Sequence, residues 1–212
     1  QRAGVTVAIA LLVDYVMTVA VSISAAVDNL SSSVTFLHEH KVGLALGLIV
    51  LITVLNLRGV KESGTLFAIP TYAFMIAILS MLFWAAARIA RGDVLLAESS
   101  TWEIIPQSEY TGAALAFLVL RAFTSGCTAL TGVEAISNGV PAFRPPKSKN
   151  AATTLSLLGV IAITMFMGVT VLAQITKVRF THGNEFLSGL PAGQEQKTVI
   201  AQVAGAVFSN FP

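Results

Sequence analysis

Long stretches without a single charge constrain this chain more than any other feature. Residues 42 to 57, 63 to 87 and 150 to 176 contain no Asp, Glu, Lys or Arg, and residues 3 to 27 contain only Asp14. A helix needs about 20 apolar residues to cross the hydrocarbon core of a bilayer, so the chain reads as a membrane protein. Composition agrees: 55% of the 212 residues are hydrophobic and 11% are charged, against roughly 25% charged in soluble domains. The mean hydropathy is +0.78. A net charge of +2, with no basic block interleaved with aromatics, argues against a nucleic-acid partner. The single cysteine, Cys127, allows no internal disulfide, and no Cys/His spacing suggests structural zinc.

Five transmembrane helices are expected, at about 3–27, 42–57, 63–87, 111–139 and 150–175. Helices are preferred over barrel strands because the runs are continuously apolar rather than alternating. If the spans alternate, Arg2, Arg58, Lys61, Arg144, Lys147 and Lys149 share one side with a single acid, Glu62. By the positive-inside rule the Gln1 end and the loops 58–64 and 140–149 are then cytoplasmic, in a multi-pass protein of the cell membrane. The opposite side carries Lys41, Arg88, Arg91, Lys177, Arg179 and Lys197, diluted by acids. There, Trp102, Ile104 and Ile105 are expected to lie along the outer surface, and a short amphipathic stretch runs from Thr198 to Phe208. The sequence reads as a fragment of one transmembrane domain, with further helices expected after it.

Asp14 is the residue that most needs a reason. An Asp at a helix centre costs roughly 2.5–3.5 kcal/mol on insertion scales and usually faces a bundle interior or a watered cavity. Thr18 and Ser22 follow at four-residue steps, so the three oxygens form one stripe, with Tyr15 beside its start. The structural alternative is that the hydroxyls bond to their own helix while Asp14 pairs with a cation elsewhere. In the fourth span, residues 124 to 138 read TSGCTALTGVEAISN, a density of small residues that marks where a membrane helix can break and free its carbonyls. Glu134 lies three residues after Thr131. Carboxylate, hydroxyl and freed carbonyl are hard ligands, suited to an alkali cation or a proton. The alternative is close helix packing with Glu134 paired to Arg121, some 20 Å along a continuous helix. His38 and His40 read as a solvated loop, and Cys127 as packing. No nucleophile–base pair or metal motif suggests an enzyme, and no cofactor is implied.

Two segments, LLVDYVMTVAVSISA (Leu11 to Ala25) and GCTALTGVEAISNGVPAFRPPKSKNAATTL (Gly126 to Leu155), supported by NLRGVKESG (Asn56 to Gly64), carry a family resemblance. The chain resembles the amino acid, polyamine and organocation transporter superfamily, and within it the KUP-type proton-coupled potassium importers. The resemblance covers nearly the whole chain. It implies an all-α, LeuT-like inverted-repeat fold of about twelve helices, of which this chain matches helices three to seven. It also implies K⁺ ligation by oxygens of helices one, three and six: here Asp14, Tyr15, Thr18 and Ser22 from helix three, Thr131 and Glu134 from helix six. Potassium uptake by K⁺/H⁺ symport is the function implied, with K⁺ and H⁺ as transported ions and Glu134 as the candidate for proton coupling. An amino acid permease of the same architecture is the alternative. The implied partners are the lipid bilayer, the remaining helices of the transporter and, in the full-length protein, a second copy in a homodimer.

Overall fold

The computed structural model describes residues 2–57, 60–105, 111–127, 133–181, 187–191 and 194–209. The helices among them are α1 (Arg2–Ser33), α2 (Lys41–Leu57), α3 (Val60–Ala90), α4 (Ala113–Cys127), α5 (Val133–Asn138), α6 (Lys147–Ile175) and α7 (Val199–Phe208). Two short strands, β1 (Glu103–Ile104) and β2 (Leu187–Ser188), pair antiparallel, Glu103 opposite Ser188 and Ile104 opposite Leu187. Short 3₁₀ turns occupy Thr35–His40, Glu98–Thr101 and Val140–Ala142.

Three helices, α1, α3 and α6, are long and apolar enough to cross a membrane. With 32, 31 and 29 residues they rise about 44–48 Å, more than the about 30 Å of a hydrocarbon core, so their ends project beyond it. The shorter apolar helices α2 and α4 have 17 and 15 residues, none of them buried. In α2 Leu44, Ala45, Leu48, Ile52 and Leu55 form a half-buried face, and α2 packs against α1; its other face and all of α4 are exposed apolar surface, unstable in water but at home among lipid chains.

The helix ends differ from the sequence expectation for local reasons. Beyond the expected end at Val27, α1 continues to Ser33, and polar side chains in this last part bond back along it. Asn29 Nδ2 donates to the Ala25 carbonyl (2.8 Å), Ser31 to Val27 (2.7 Å) and Ser32 to Asp28 (2.9 Å). The loop expected over 58–64 is shorter, since α3 is already helical at Val60, where Lys61 and Glu62 are good helix formers. At 140–149, α6 begins at Lys147, whose ammonium donates to the Pro141 carbonyl (2.7 Å). The fourth expected span contributes two helices, α4 and α5; residues 128–132 lie outside the described residues.

The chain forms two compact units, Gln1–Ile104 with Val169–Pro212, and Ile105–Gly168. In the first, the core sits where α1 and α3 end. Ile23, Val27 and Ser31 form one buried stripe of α1, and Ile78, Met81 and Ala85 one of α3. Both helices pack against α7, which buries Gln202, Val203, Ala206 and Val207. Gln202 accepts from the buried Ser99 hydroxyl and donates to the Lys197 carbonyl (2.9 Å), so neither buried polar side chain is left unsatisfied. Arg88 at the end of α3 donates to the carbonyls of Val207 and Ser209, both at 2.9 Å, and closes the C-terminus of α7. At its N-terminus Thr198 is the cap, itself tied to α1 by Asn29 (2.8 Å) and Ser32 (3.0 Å). The end of α6 joins the same layer, the Ala97 N–H donating to the Thr176 carbonyl (2.8 Å).

Trp102, expected along the outer surface, is instead turned inward and 8% exposed, while Ile104 and Ile105 stay exposed. The reason is Gly189: at φ +102 it leaves room for the indole, where a Cβ would lie 3.1 Å from Trp102 Cδ1. Helix α6 ends in a Schellman turn, with Val178 N–H bonded to the Ala173 carbonyl (3.0 Å) and Lys177 N–H to Gln174 (3.1 Å). That geometry puts Lys177 at φ 56, a position where glycine is usual and a side chain costs roughly 1–2 kcal/mol.

In the second unit α4 and α6 line a cavity of about 350 Å³ with Phe123, Gly126, Cys127, Ala162, Ile163, Phe166 and Met167. Cys127, expected as packing, is exposed there.

Candidate functional site

The candidate site residues Asp14, Tyr15, Thr18 and Ser22 all lie on α1. Four residues advance a helix by about 400°, so Asp14, Thr18 and Ser22 form a slowly drifting column that rises about 6 Å per step. Asn29, two turns beyond Ser22, marks the polar end of α1; Asp14 lies about 22 Å below it along the helix. That is well inside a hydrocarbon core about 30 Å thick.

Asp14 and Ser22 are exposed, Thr18 is half-buried and Tyr15 is 39% exposed. Ser22 directly precedes the buried Ile23, so the column is turned about 100° away from the stripe that packs into the core. Elsewhere the membrane-depth hydroxyls bond to their own helix four residues back: Thr53 to Ile49, Thr71 to Phe67 and Thr164 to Val160, each at 2.7 Å. Among the described residues no hydrogen bond or ion pair engages Asp14, Thr18 or Ser22. A carboxylate and two hydroxyls stand open within the apolar run of a membrane-crossing helix, where facing lipid would be costly.

Of the residues expected from the fourth span, Glu134 occupies the second position of α5 in the other unit. Thr131 and the side chain of Glu134 lie outside the described residues. Arg121 is exposed on α4. His40 stacks on Phe36, ring centroids 5.0 Å apart, which is ordinary local packing in the turn Thr35–His40. Trp84, expected at a membrane interface, lies under the Arg91 guanidinium at 5.2 Å. One feature has no counterpart in the sequence expectations: a cavity of about 570 Å³ at the end of α6 that includes Lys177 and Arg179. The available signal was two cations directly following a span.

Three apolar helices of membrane-crossing length, joined at one end by a polar layer and one of them carrying Asp14 within its apolar run, mark a multi-pass membrane protein. The family model described as amino acid permease matches residues 1–209, and the chain belongs to that family, within the amino acid, polyamine and organocation superfamily. It is also similar to the potassium transporter KimA of Bacillus subtilis (strain 168), 38% identical over 210 residues, which cover 99% of this chain and 32% of KimA. The chain thus spans about a third of the length of that relative.

Proposed function

We propose that the full-length protein is a secondary active transporter that takes up K⁺ together with H⁺. The observation that carries the proposal is the open column of Asp14, Thr18 and Ser22 within the apolar run of α1. One fixed negative charge with neutral oxygens above it suits a monovalent cation stripped of part of its water. The identity of 38% to a potassium transporter supports the choice of ion. Tyr15 adds a further oxygen, and Thr131 and Glu134 are the contribution of the second unit. In this reading the described helices are numbers three to seven of a LeuT-like inverted repeat of about twelve, and the whole protein works as a homodimer. The runner-up is amino acid transport, which follows from the description of the matching family; a free carboxylate at the site favours a cation over a zwitterion whose own carboxylate would be repelled.

Energetically the scheme is sufficient. A potential of 100 mV, inside negative, supplies about 2.3 kcal/mol per charge, which concentrates K⁺ roughly fifty-fold. Symport of a proton adds a second charge and any pH gradient.

The test is Asp14→Asn in the full-length protein, assayed for K⁺ uptake in proteoliposomes. The substitution removes the charge and keeps the shape, so uptake is expected to fall below detection while membrane insertion is unchanged. Thr18→Ala and Ser22→Ala each remove a neutral ligand and are expected to weaken apparent K⁺ affinity by about 3- to 10-fold, the order of a single neutral hydrogen-bonding partner. Normal K⁺ transport by Asp14→Asn would make the column structural; accumulation of a labelled amino acid with no K⁺ uptake would establish the runner-up.

A further inference from the structure

The polar layer at the end of α1, α3 and α6 holds several cations, and most are already engaged. Lys41 pairs with Asp28 (3.5 Å) and Glu195 (3.4 Å), Arg88 with Asp93 (2.8 Å), and Lys197 with Glu98. Arg91 covers the Trp84 ring. The side chains of Lys177 and Arg179 have no ion pair among the described residues, and both line the cavity of about 570 Å³. Its other walls are Thr170 and Gln174, from the last turns of α6, and the apolar Ile104, Phe180 and Val199.

Depth decides what such a cavity can take. Thr170 and Gln174 lie within the membrane-crossing helix Lys147–Ile175, and the two cations follow its last residue at once. A helix of 29 residues rises about 44 Å, the thickness of the core with its headgroup layers, so its last turns and the cavity lie at headgroup level. Ile104 and Phe180 are 44% and 41% exposed, a surface suited to acyl chains and unsuited to a freely soluble anion. Its frame is fixed: the Arg179 N–H donates to the buried Ser99 hydroxyl (2.8 Å), and the Schellman turn sets Lys177 in a left-handed conformation. We propose that this pocket binds the phosphate headgroup of an anionic phospholipid, Arg179 and Lys177 holding the phosphate oxygens and the apolar wall receiving the chain. The proposal is independent of which substrate the protein carries.

The full-length protein, reconstituted with phosphatidylcholine and a minor fraction of phosphatidylglycerol, is delipidated and the retained lipid counted by native mass spectrometry. Wild type is expected to retain phosphatidylglycerol selectively. Lys177→Gly combined with Arg179→Gln should reduce that retention by about tenfold or more, the order of one charge-assisted hydrogen bond. Lys177→Arg and Lys41→Gln should leave it unchanged. Lys177→Gly alone relaxes the left-handed residue, so it carries the test should the double variant misfold. Undiminished retention in Lys177→Gly with Arg179→Gln, or in the single variant if the double misfolds, overturns the proposal. So does a wild type that retains phosphatidylglycerol no better than phosphatidylcholine while binding inorganic phosphate, which would make the pocket a site for the free anion.

Discussion

Single residues set the limits of what this chain can tolerate, and the clearest cases are Asp14 and Gly189. Asp14 and its hydroxyls were legible in the sequence because a charge in an apolar run is conspicuous and a four-residue period fixes a face. Gly189 was not, since nothing local reveals that the indole of Trp102 lies against it. With φ at +102 and a would-be Cβ at 3.1 Å from the ring, Gly189→Ala meets both backbone strain and overpacking. It is expected to destabilise the full-length protein by about 1–3 kcal/mol, read as a lowered thermal midpoint in detergent. Gly92, also at positive φ but with open space around its Cβ position, should cost less on the same substitution, because only the strain applies.

Among the elements, α7 shows how a ten-residue apolar helix is kept in place without crossing anything. The sequence marked an amphipathic stretch from Thr198 to Phe208, and the helix is Val199–Phe208. What the sequence lacked was the partner of each helix end. Arg88 reaches the terminal carbonyls across more than a hundred residues, and its side chain is only 14% exposed. Arg88→Gln removes the charge-assisted bonds and leaves Asp93 without its ion-pair partner among the described residues, so a loss of about 2 kcal/mol is expected in thermal or denaturant melts. Lys41→Gln, whose pairs are largely solvated, should change stability by under about 1 kcal/mol.

For the molecule as a whole, sidedness and coupling are the properties at stake. The C-terminal ends of α1, α3 and α6 meet in one layer of the first unit. In a Cys127→Ser background, a single cysteine at Lys147 is expected to be labelled only from the cytoplasm and one at Glu98 only from outside. Labelling of both from one side would rule out the topology. Coupling needs a group that gains and loses a proton within the cycle, for which Glu134 is proposed. A proton and a K⁺ competing for one carboxylate link the two occupancies. Glu134→Gln in proteoliposomes should abolish the effect of an inward proton gradient while some potential-driven K⁺ entry persists; undiminished gradient-driven uptake would exclude Glu134 from that role.

The sequence by itself determined the membrane class, the three long apolar helices and the four-residue spacing of Asp14, Thr18 and Ser22. Each of these follows from local facts, such as the length of a charge-free run or the period of a helix, that hold wherever the segment sits. Only the tertiary structure decided that Trp102 turns inward, that α7 is capped by Arg88, and that Lys177 and Arg179 share one cavity while Lys41, Arg88 and Lys197 are paired. Hydrogen bonds and ion pairs are short-ranged and directional, so which donor meets which acceptor depends on distances between segments far apart in the chain, and no local pattern encodes them.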